Sequence, residues 1–234
     1  MYASIGEMLD LKGFDRMIAI IDYDAGNLKS VEKALQFLGQ EPVVTRDKET
    51  LLQAEKVGQE SVITRDFQTI LSADKVILPG VGAFSDAMHN LKKYDLDQVI
   101  REVAEKKIPL LGICLGLQLL FEESEESPGV EGLHLLDGKI LRIPDKEGLK
   151  IPHIGWNSLN LQNQGRLFEG IEQQPYVYFV HSYYLKAAEP DIVKATTEYS
   201  TMIDASVEKD NIFACQFHPE KSSTVGLKML KNFV

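Results

Sequence analysis

Ile108-Pro109-Leu110-Leu111-Gly112-Ile113-Cys114-Leu115-Gly116-Leu117-Gln118-Leu119-Leu120-Phe121 is the stretch that decides how this chain folds. A short apolar run enters Gly-x-Cys-x-Gly, and a second apolar run leaves it at helical spacing. The pattern predicts a strand, a sharp turn and a helix. It has the form of a nucleophile elbow, with cysteine where the hydrolase version carries serine. Glycines flank the cysteine because the backbone of such a turn is strained and crowded. The turn lifts the thiol out of the sheet and sets it at a helix N-terminus, where the positive dipole end favours thiolate. A free thiol titrates near ~8.5, so a nucleophile at neutral pH needs that help. Cys114 is therefore a candidate nucleophile; the competing reading is a small core side chain.

Downstream, Ile212-Phe213-Ala214-Cys215-Gln216-Phe217-His218-Pro219-Glu220 is an apolar run that ends in His-Pro-Glu. Proline stops the strand and keeps the preceding residue extended. Residues two apart in extended chain share a face, so His218 and Glu220 are expected to point the same way. Cys114, His218 and Glu220 then form a nucleophile, a base and a carboxylate that orients the base. Cys215, in mid-strand, reads as core. A metal site built from Cys114, His181 and His218 is an alternative, but no pair has the close spacing of a zinc motif.

Working outward, apolar β-rich runs alternate with amphipathic stretches through the first half. A strand over 17–22 leads to a Gly-Asn turn and a helix over 28–38 closed by Gly39. A strand over 75–78 meets Pro79-Gly80-Val81-Gly82, and helical patterns run from 84 to 106. Shorter strands follow from about 131, clearest at 176–184 and 211–217, with a closing helix over 222–234. This order predicts an α/β fold: a mostly parallel open sheet flanked by helices on both faces, with an added antiparallel or mixed region in the second half. Such a sheet places its site at the carboxyl ends of the strands, where Gly80–Gly82, Cys114 and His218 all fall.

The 234 residues are 44% apolar, enough for one sizeable core. A net charge of −10 argues against a general nucleic-acid or anionic-membrane surface. Two cysteines in unlike contexts make no disulfide framework, which fits a reducing cytoplasm. No apolar run approaches the ~20 residues that span a bilayer. Residues 1–16 have neither a basic start nor a long apolar stretch, so they do not read as a secretory signal and are expected to be a disordered extension. One domain over 17–234 is expected after it.

GICLGLQ around Cys114 together with QFHPE around His218 resembles the class I (triad) glutamine amidotransferases. Asp22-Tyr23-Asp24-Ala25-Gly26-Asn27, Pro79-Gly80-Val81-Gly82-Ala83-Phe84, Pro152-His153-Ile154-Gly155-Trp156-Asn157, Tyr178-Phe179-Val180-His181-Ser182-Tyr183-Tyr184 and His218-Pro219-Glu220-Lys221-Ser222 narrow the resemblance to the glutaminase subunits of imidazole glycerol phosphate synthase. It runs from about Met17 to the C-terminus. Asp24 departs from the family, which often has glycine there.

The resemblance implies hydrolysis of glutamine to glutamate and ammonia through a thioester, with no cofactor. It also implies docking on a (β/α)₈ barrel cyclase, as a heterodimer, to which the ammonia passes. The products are then imidazole glycerol phosphate and AICAR, in histidine biosynthesis. It places one oxyanion donor in Gly80-Val81-Gly82, with Val81 and Gly82 at the oxyanion; the backbone N–H of Leu115 is the other, as elbows require. It gives Gln118 and Glu126 to the α-amino end of glutamine, and Gly80, His181, Ser182 and Tyr183 to the rest of the pocket. Asn27, Trp156 and Lys221 fall at the cyclase face. The plainer readings are a turn at Gly80–Gly82, a solvated acidic face at Glu126 and core packing at His181–Tyr183. A γ-glutamyl hydrolase or peptidase on the same elbow, or an inactive binding module, are the competing functions.

Residues 43–57 (VVTRDKETLLQAEKV) and 62–76 (VITRDFQTILSADKV) align at an offset of 19, with nine of fifteen positions identical. This looks like a tandem duplication of one strand-helix unit where the family has one. The extra copy is expected at the periphery. The second copy, which runs directly into the strand before Pro79, is expected to hold the sheet position.

Overall fold

The computed structural model describes residues 17–40, 42–44, 61–162 and 165–234. The expectation for residues 1–16, and most of the first repeat copy, lie outside the described residues.

The strands are β1 (Ile18–Ile21), β2 (Pro42–Val44), β3 (Ser61–Thr64), β4 (Lys75–Gly80), β5 (Leu110–Cys114), β6 (Glu123–Ser124) and β7 (Gly138–Arg142). They continue as β8 (His153–Ser158), β9 (Asn160–Leu161), β10 (Tyr176–His181), β11 (Tyr183–Ala187), β12 (Val193–Tyr199), β13 (Thr201–Lys209) and β14 (Ile212–Cys215). The helices are α1 (Leu28–Phe37), α2 (Phe67–Ser72), α3 (Phe84–Lys93), α4 (Leu96–Glu105), α5 (Leu115–Leu119) and α6 (Ser223–Phe233). The continuous helical pattern over 84–106 resolves into two helices, broken at Asp95, which has a φ of 53°.

Among the described residues, nine strands form one sheet in the order β2-β3-β1-β4-β5-β14-β13-β12-β9. β2 through β14 run parallel, and β13, β12 and β9 continue the sheet antiparallel. β10 pairs with β8, and β11 with β7 and β6, in two small sheets. β1 reads Ile-Ala-Ile-Ile and is buried throughout, as a parallel strand covered on both faces must be. Its residues alternate between two cores. Ala19 and Ile21 pack with Ile70 of α2, Leu91 of α3 and Ile100 of α4. Ile18 and Ile20 pack with Val31 and Leu35 of α1 and Met229 and Phe233 of α6. The period-two alternation of a strand thus makes a three-layer sandwich, helices on both faces.

The second repeat copy supplies β3, which pairs directly with β1, and α2, whose Asp66 side chain caps it by accepting from Thr69 N at 2.9 Å. β2, at the start of the first copy, adds outside β3 and is the last strand on that side among the described residues.

Candidate active site

β4 and β5 are parallel neighbours, and Gly80 and Cys114 are register partners at their carboxyl ends. Cys114 has φ 55° and ψ −109°, outside both helical and extended regions. Holding a non-glycine residue there costs on the order of 1–3 kcal/mol, supplied by the packing around it. That packing explains Gly116: a Cβ there would lie 1.8 Å from the Leu78 carbonyl oxygen. The first turn of α5 can therefore press onto β4 only as glycine, which leaves Cys114 at the apex, 6% exposed.

β14 inserts beside β5, with Cys215 opposite Ile113, and so carries the second motif to the first. Beyond it, His218 is extended (φ −100°, ψ 96°) and its N–H donates to the Tyr178 carbonyl at 2.9 Å. Its carbonyl accepts from Ser222 Oγ at 2.6 Å. Pro219–Lys221 then forms a single 3₁₀ turn. That turn, and not the strand alternation expected from sequence, returns Glu220 to His218. Nδ1 of His218 donates to Glu220 Oε1 at 2.8 Å, and both side chains are fully buried. Nε2 is buried too and has no partner at hydrogen-bonding geometry. Desolvation would lower the His218 pKa, but Cys114 and Glu220 together outweigh it and raise it to about 9. With Nδ1–H tied to a carboxylate, Nε2 is the nitrogen left to exchange a proton with the thiol.

A cavity of about 320 Å³ opens at Cys114. Of the residues expected at the site, Val81, Gly82, Leu115, Gln118, Glu126, His181, Ser182 and Tyr183 all line it, joined by Pro152 and Val180. Gly80 does not. It lies beneath the loop, where a Cβ would meet Tyr23 Oη at 2.4 Å, and Tyr23 in turn donates to the Pro79 carbonyl at 2.8 Å. Gly82 has a φ of 101°, a conformation that side chains disfavour. Gln118 is 5% exposed and donates from Nε2 to the Tyr183 carbonyl (3.2 Å) and Gln216 Oε1 (3.0 Å). Glu126 Oε2 accepts from Phe84 N at 2.9 Å, at the start of α3. His181 is buried, which desolvates it and lowers its pKa to about 3.

Two contacts escape the sequence reading. Asn27 Nδ2 donates to Glu220 Oε1 at 2.6 Å, so this residue, expected at the cyclase face, also touches the carboxylate that holds His218. Gln216 Nε2 lies 3.7 Å from Cys114 Sγ. Its position two residues before His218 was the available signal. Trp156 is 51% exposed and Ile154 60%, on one face of β8, and Lys221 is exposed. Among the described residues, the donor atoms of Glu122, His134 and Asp137 gather within 4.8 Å of one another at the surface; Cys114, His181 and His218 form no such set. Among the described residues, no helix is long and apolar enough to cross a membrane.

The family profile "Glutamine amidotransferase class-I" matches residues 19–234. The chain is 50% identical to imidazole glycerol phosphate synthase subunit HisH of Moorella thermoacetica over 218 residues, 93% of this chain and 94% of that one. It is 46% identical to HisH 1 of Methanococcus maripaludis over 93% of this chain and 98% of the relative. For HisH of Caldanaerobacter subterraneus subsp. tengcongensis the identity is 48%, over 93% and 97%. Among solved structures, a glutamine amidotransferase superposes with a TM-score of 0.64 at 16% identity, covering 92% of this chain and 96% of the other. One from Thermotoga maritima gives 0.55 at 18% identity, covering 93% and 81%; at such identities these two speak for the fold alone. With the profile spanning nearly the whole chain and half the residues shared with its relatives, this chain belongs to the class I glutamine amidotransferases, in the group of imidazole glycerol phosphate synthase HisH subunits.

Proposed function

We propose that this chain is the glutaminase subunit of imidazole glycerol phosphate synthase, with Cys114 as its nucleophile. The observation that carries the reading is Cys114 lining one small cavity at the end of β5, with the buried His218–Glu220 pair following β14 beside it. His218 Nε2 takes the thiol proton as Sγ bonds to the side-chain amide carbon of glutamine. The amide oxygen gathers negative charge, met by backbone N–H groups of Leu115 and the Val81–Gly82 loop. One such donor is typically worth ~10²–10³ in rate. His218 returns the proton to the leaving nitrogen, ammonia departs and a thioester remains. Water, deprotonated by the same nitrogen, adds to the thioester, and glutamate leaves with the thiol restored. Glu220 holds the imidazole in the right tautomer and offsets its positive charge. Gln118, Glu126, His181, Ser182 and Tyr183 hold the substrate.

The ammonia passes to a cyclase subunit, a (β/α)₈ barrel, for imidazole glycerol phosphate and AICAR synthesis. Ile154, Trp156 and Lys221 supply exposed side chains for that docking face, and Asn27 links it to the triad. No cofactor enters the chemistry. Two free, buried cysteines suit a reducing cytoplasm.

Cys114→Ala tests the assignment. It is expected to abolish glutamine hydrolysis by the assembled synthase while ammonia-dependent synthesis survives. Retained hydrolysis overturns the nucleophile, and loss of both activities points to a folding defect. Glutamate release by the isolated chain and by the complex tests the partner's role. A peptide flip in the Val81–Gly82 loop on docking predicts a large rate difference, and equal rates overturn it.

A further inference from the structure

Buried side chains link His153 to the nucleophile in one hydrogen-bonded series. His153 Nδ1 and His181 Nε2 are 3.1 Å apart, and His181 Nδ1 lies 2.9 Å from the Tyr183 carbonyl. The same carbonyl accepts from Gln118 Nε2 at 3.2 Å. Gln118 Nε2 also donates to Gln216 Oε1 at 3.0 Å, and Gln216 Nε2 reaches Cys114 Sγ at 3.7 Å. His153 is stacked between Tyr199, 3.9 Å centroid to centroid, and Phe179, at 4.9 Å.

The direction of every link follows from one atom. A backbone carbonyl only accepts, so both groups at Tyr183 O must donate. Gln118 must therefore present its nitrogen there, and the second hydrogen of that nitrogen points to Gln216. Gln216 must answer with its oxygen, which leaves its N–H₂ toward the sulfur. On the other branch, His181 must carry its proton on Nδ1, so Nε2 accepts and His153 donates from Nδ1. Burial lowers both histidines, to about 3 and 4, so neither reverses its role near neutrality. Gln216, with no exposed surface, has no solvent to turn toward.

We propose that Gln216 is a positioning residue for the nucleophile: its amide N–H holds Cys114 Sγ, and the series Gln118–Tyr183 carbonyl–His181–His153 fixes which way that amide faces. This rests on Cys114 being the nucleophile. A thiolate accepts an N–H more strongly than a thiol does, so the contact favours the reactive form and holds the sulfur in place between attacks. Gln216 needs no contact with glutamine to act in this way.

Alkylation of the full chain by iodoacetamide, followed at Cys114 by peptide mass against pH, reads the contact without any glutamine. The other titratable groups around Cys114 are His218 with Glu220, the buried Tyr23 and Cys215, and His181, Tyr183 and Glu126 around the cavity; none of them is substituted in the variants. Gln216→Met keeps the length and removes the donor. The midpoint of alkylation is expected to rise by about one pH unit, and the rate at pH 7 to fall roughly tenfold. In the assembled synthase kcat falls while KM for glutamine moves less. Gln216→Glu, which cannot donate when ionised, is expected to raise the midpoint further and serves if the first variant fails to fold. Gln118→Met, which releases the Gln216 amide, moves it in the same direction by less. An unchanged midpoint in a folded Gln216 variant overturns the proposal alone. A wild-type Cys114 that alkylates no faster than the buried Cys215 overturns the nucleophile assignment and this proposal with it.

Discussion

Asn27 Nδ2 donates to Glu220 Oε1 at 2.6 Å, tying the loop after β1 to the turn after β14. The same oxygen accepts from His218 Nδ1, while Oε2 is buried without a partner. A fully buried carboxylate therefore rests on two donors, and one of them comes from the far end of the chain. Asn27 has a φ of 76°, so Asn27→Gly keeps the backbone relaxed and removes only the side chain. Loss of one charge-assisted bond to a buried group is expected to cost about 1–3 kcal/mol. The melting temperature falls, and kcat falls with it as Glu220 loosens its hold on His218. Calorimetry and glutamate release by the complex check this; wild-type values in both would show that the bond carries no weight.

The buried histidines predict how stability changes with pH. His153 and His181 have folded pKa values lowered by burial, to about 4 and about 3. Unfolded histidine titrates near ~6.5, so below that pH the unfolded chain binds the extra protons and stability is lost as pH falls. His218 is shifted the other way, to about 9, so its contribution is full below ~6.5 and disappears as pH rises through 9. The two windows meet near pH 6.5, where the melting temperature is expected to peak on this account. His218→Phe should flatten the alkaline limb in a thermal scan from pH 5 to 10 and leave the acid limb. An unaltered alkaline limb would refute the assignment.

Gly116→Ala inserts a Cβ at 1.8 Å from the Leu78 carbonyl oxygen. The obstacle is backbone, so α5 must move off β4 and take Cys114 with it. Overpacking of this kind typically costs 1–3 kcal/mol or more. Soluble protein from this variant should melt lower and hydrolyse glutamine at least ~10²-fold more slowly, since misplacing a reacting group by 1 Å costs that much. Gly129→Ala is the control: its φ of 83° strains any side chain, but nothing stands within 4 Å of the new Cβ. It should lose some stability and little activity.

Deleting Val43 to Ser61 joins Pro42 to Val62 and removes most of β2 while sparing the paired residues Val62–Thr64 beside β1. None of the residues proposed for the triad or the oxyanion hole lies in the deleted stretch. The shortened chain is expected to fold and to hydrolyse glutamine with its cyclase at a similar rate. Its melting temperature should be equal or higher, because shorter connections cost less closure entropy, about 0.6 kcal/mol per halving. Insoluble protein, or soluble protein without activity, would mean that the first copy holds a needed place.

The elements nearest the chemistry are legible in the sequence because their causes are local. Strand β5, the glycine-flanked turn at Cys114 and helix α5 follow from an apolar run, a crowded backbone and helical spacing within fourteen residues. Buried β1 and the alternation of strands and helices follow from periodicity in the same way. Where a local rule and a local turn compete, the sequence misleads. His218 and Glu220 do share a side, but through the 3₁₀ turn that Pro219 begins and not through an extended strand. The break at Asp95 is hidden inside an apolar pattern that runs on through both helices.

Read alone, the chain shows its α/β frame and the local setting of three side chains: a thiol at an elbow, an imidazole before proline and a carboxylate two residues on. Which groups reach those side chains is set by the packing of the whole chain. Gln216 reaches Cys114 because β14 inserts beside β5, and Asn27 reaches Glu220 because the parallel strands β1 and β14 have their carboxyl ends on the same side of the sheet. Those partners stand 102 and 193 positions apart. Strand order sets such distances, and it is fixed by how the whole core packs, which no short window of residues contains.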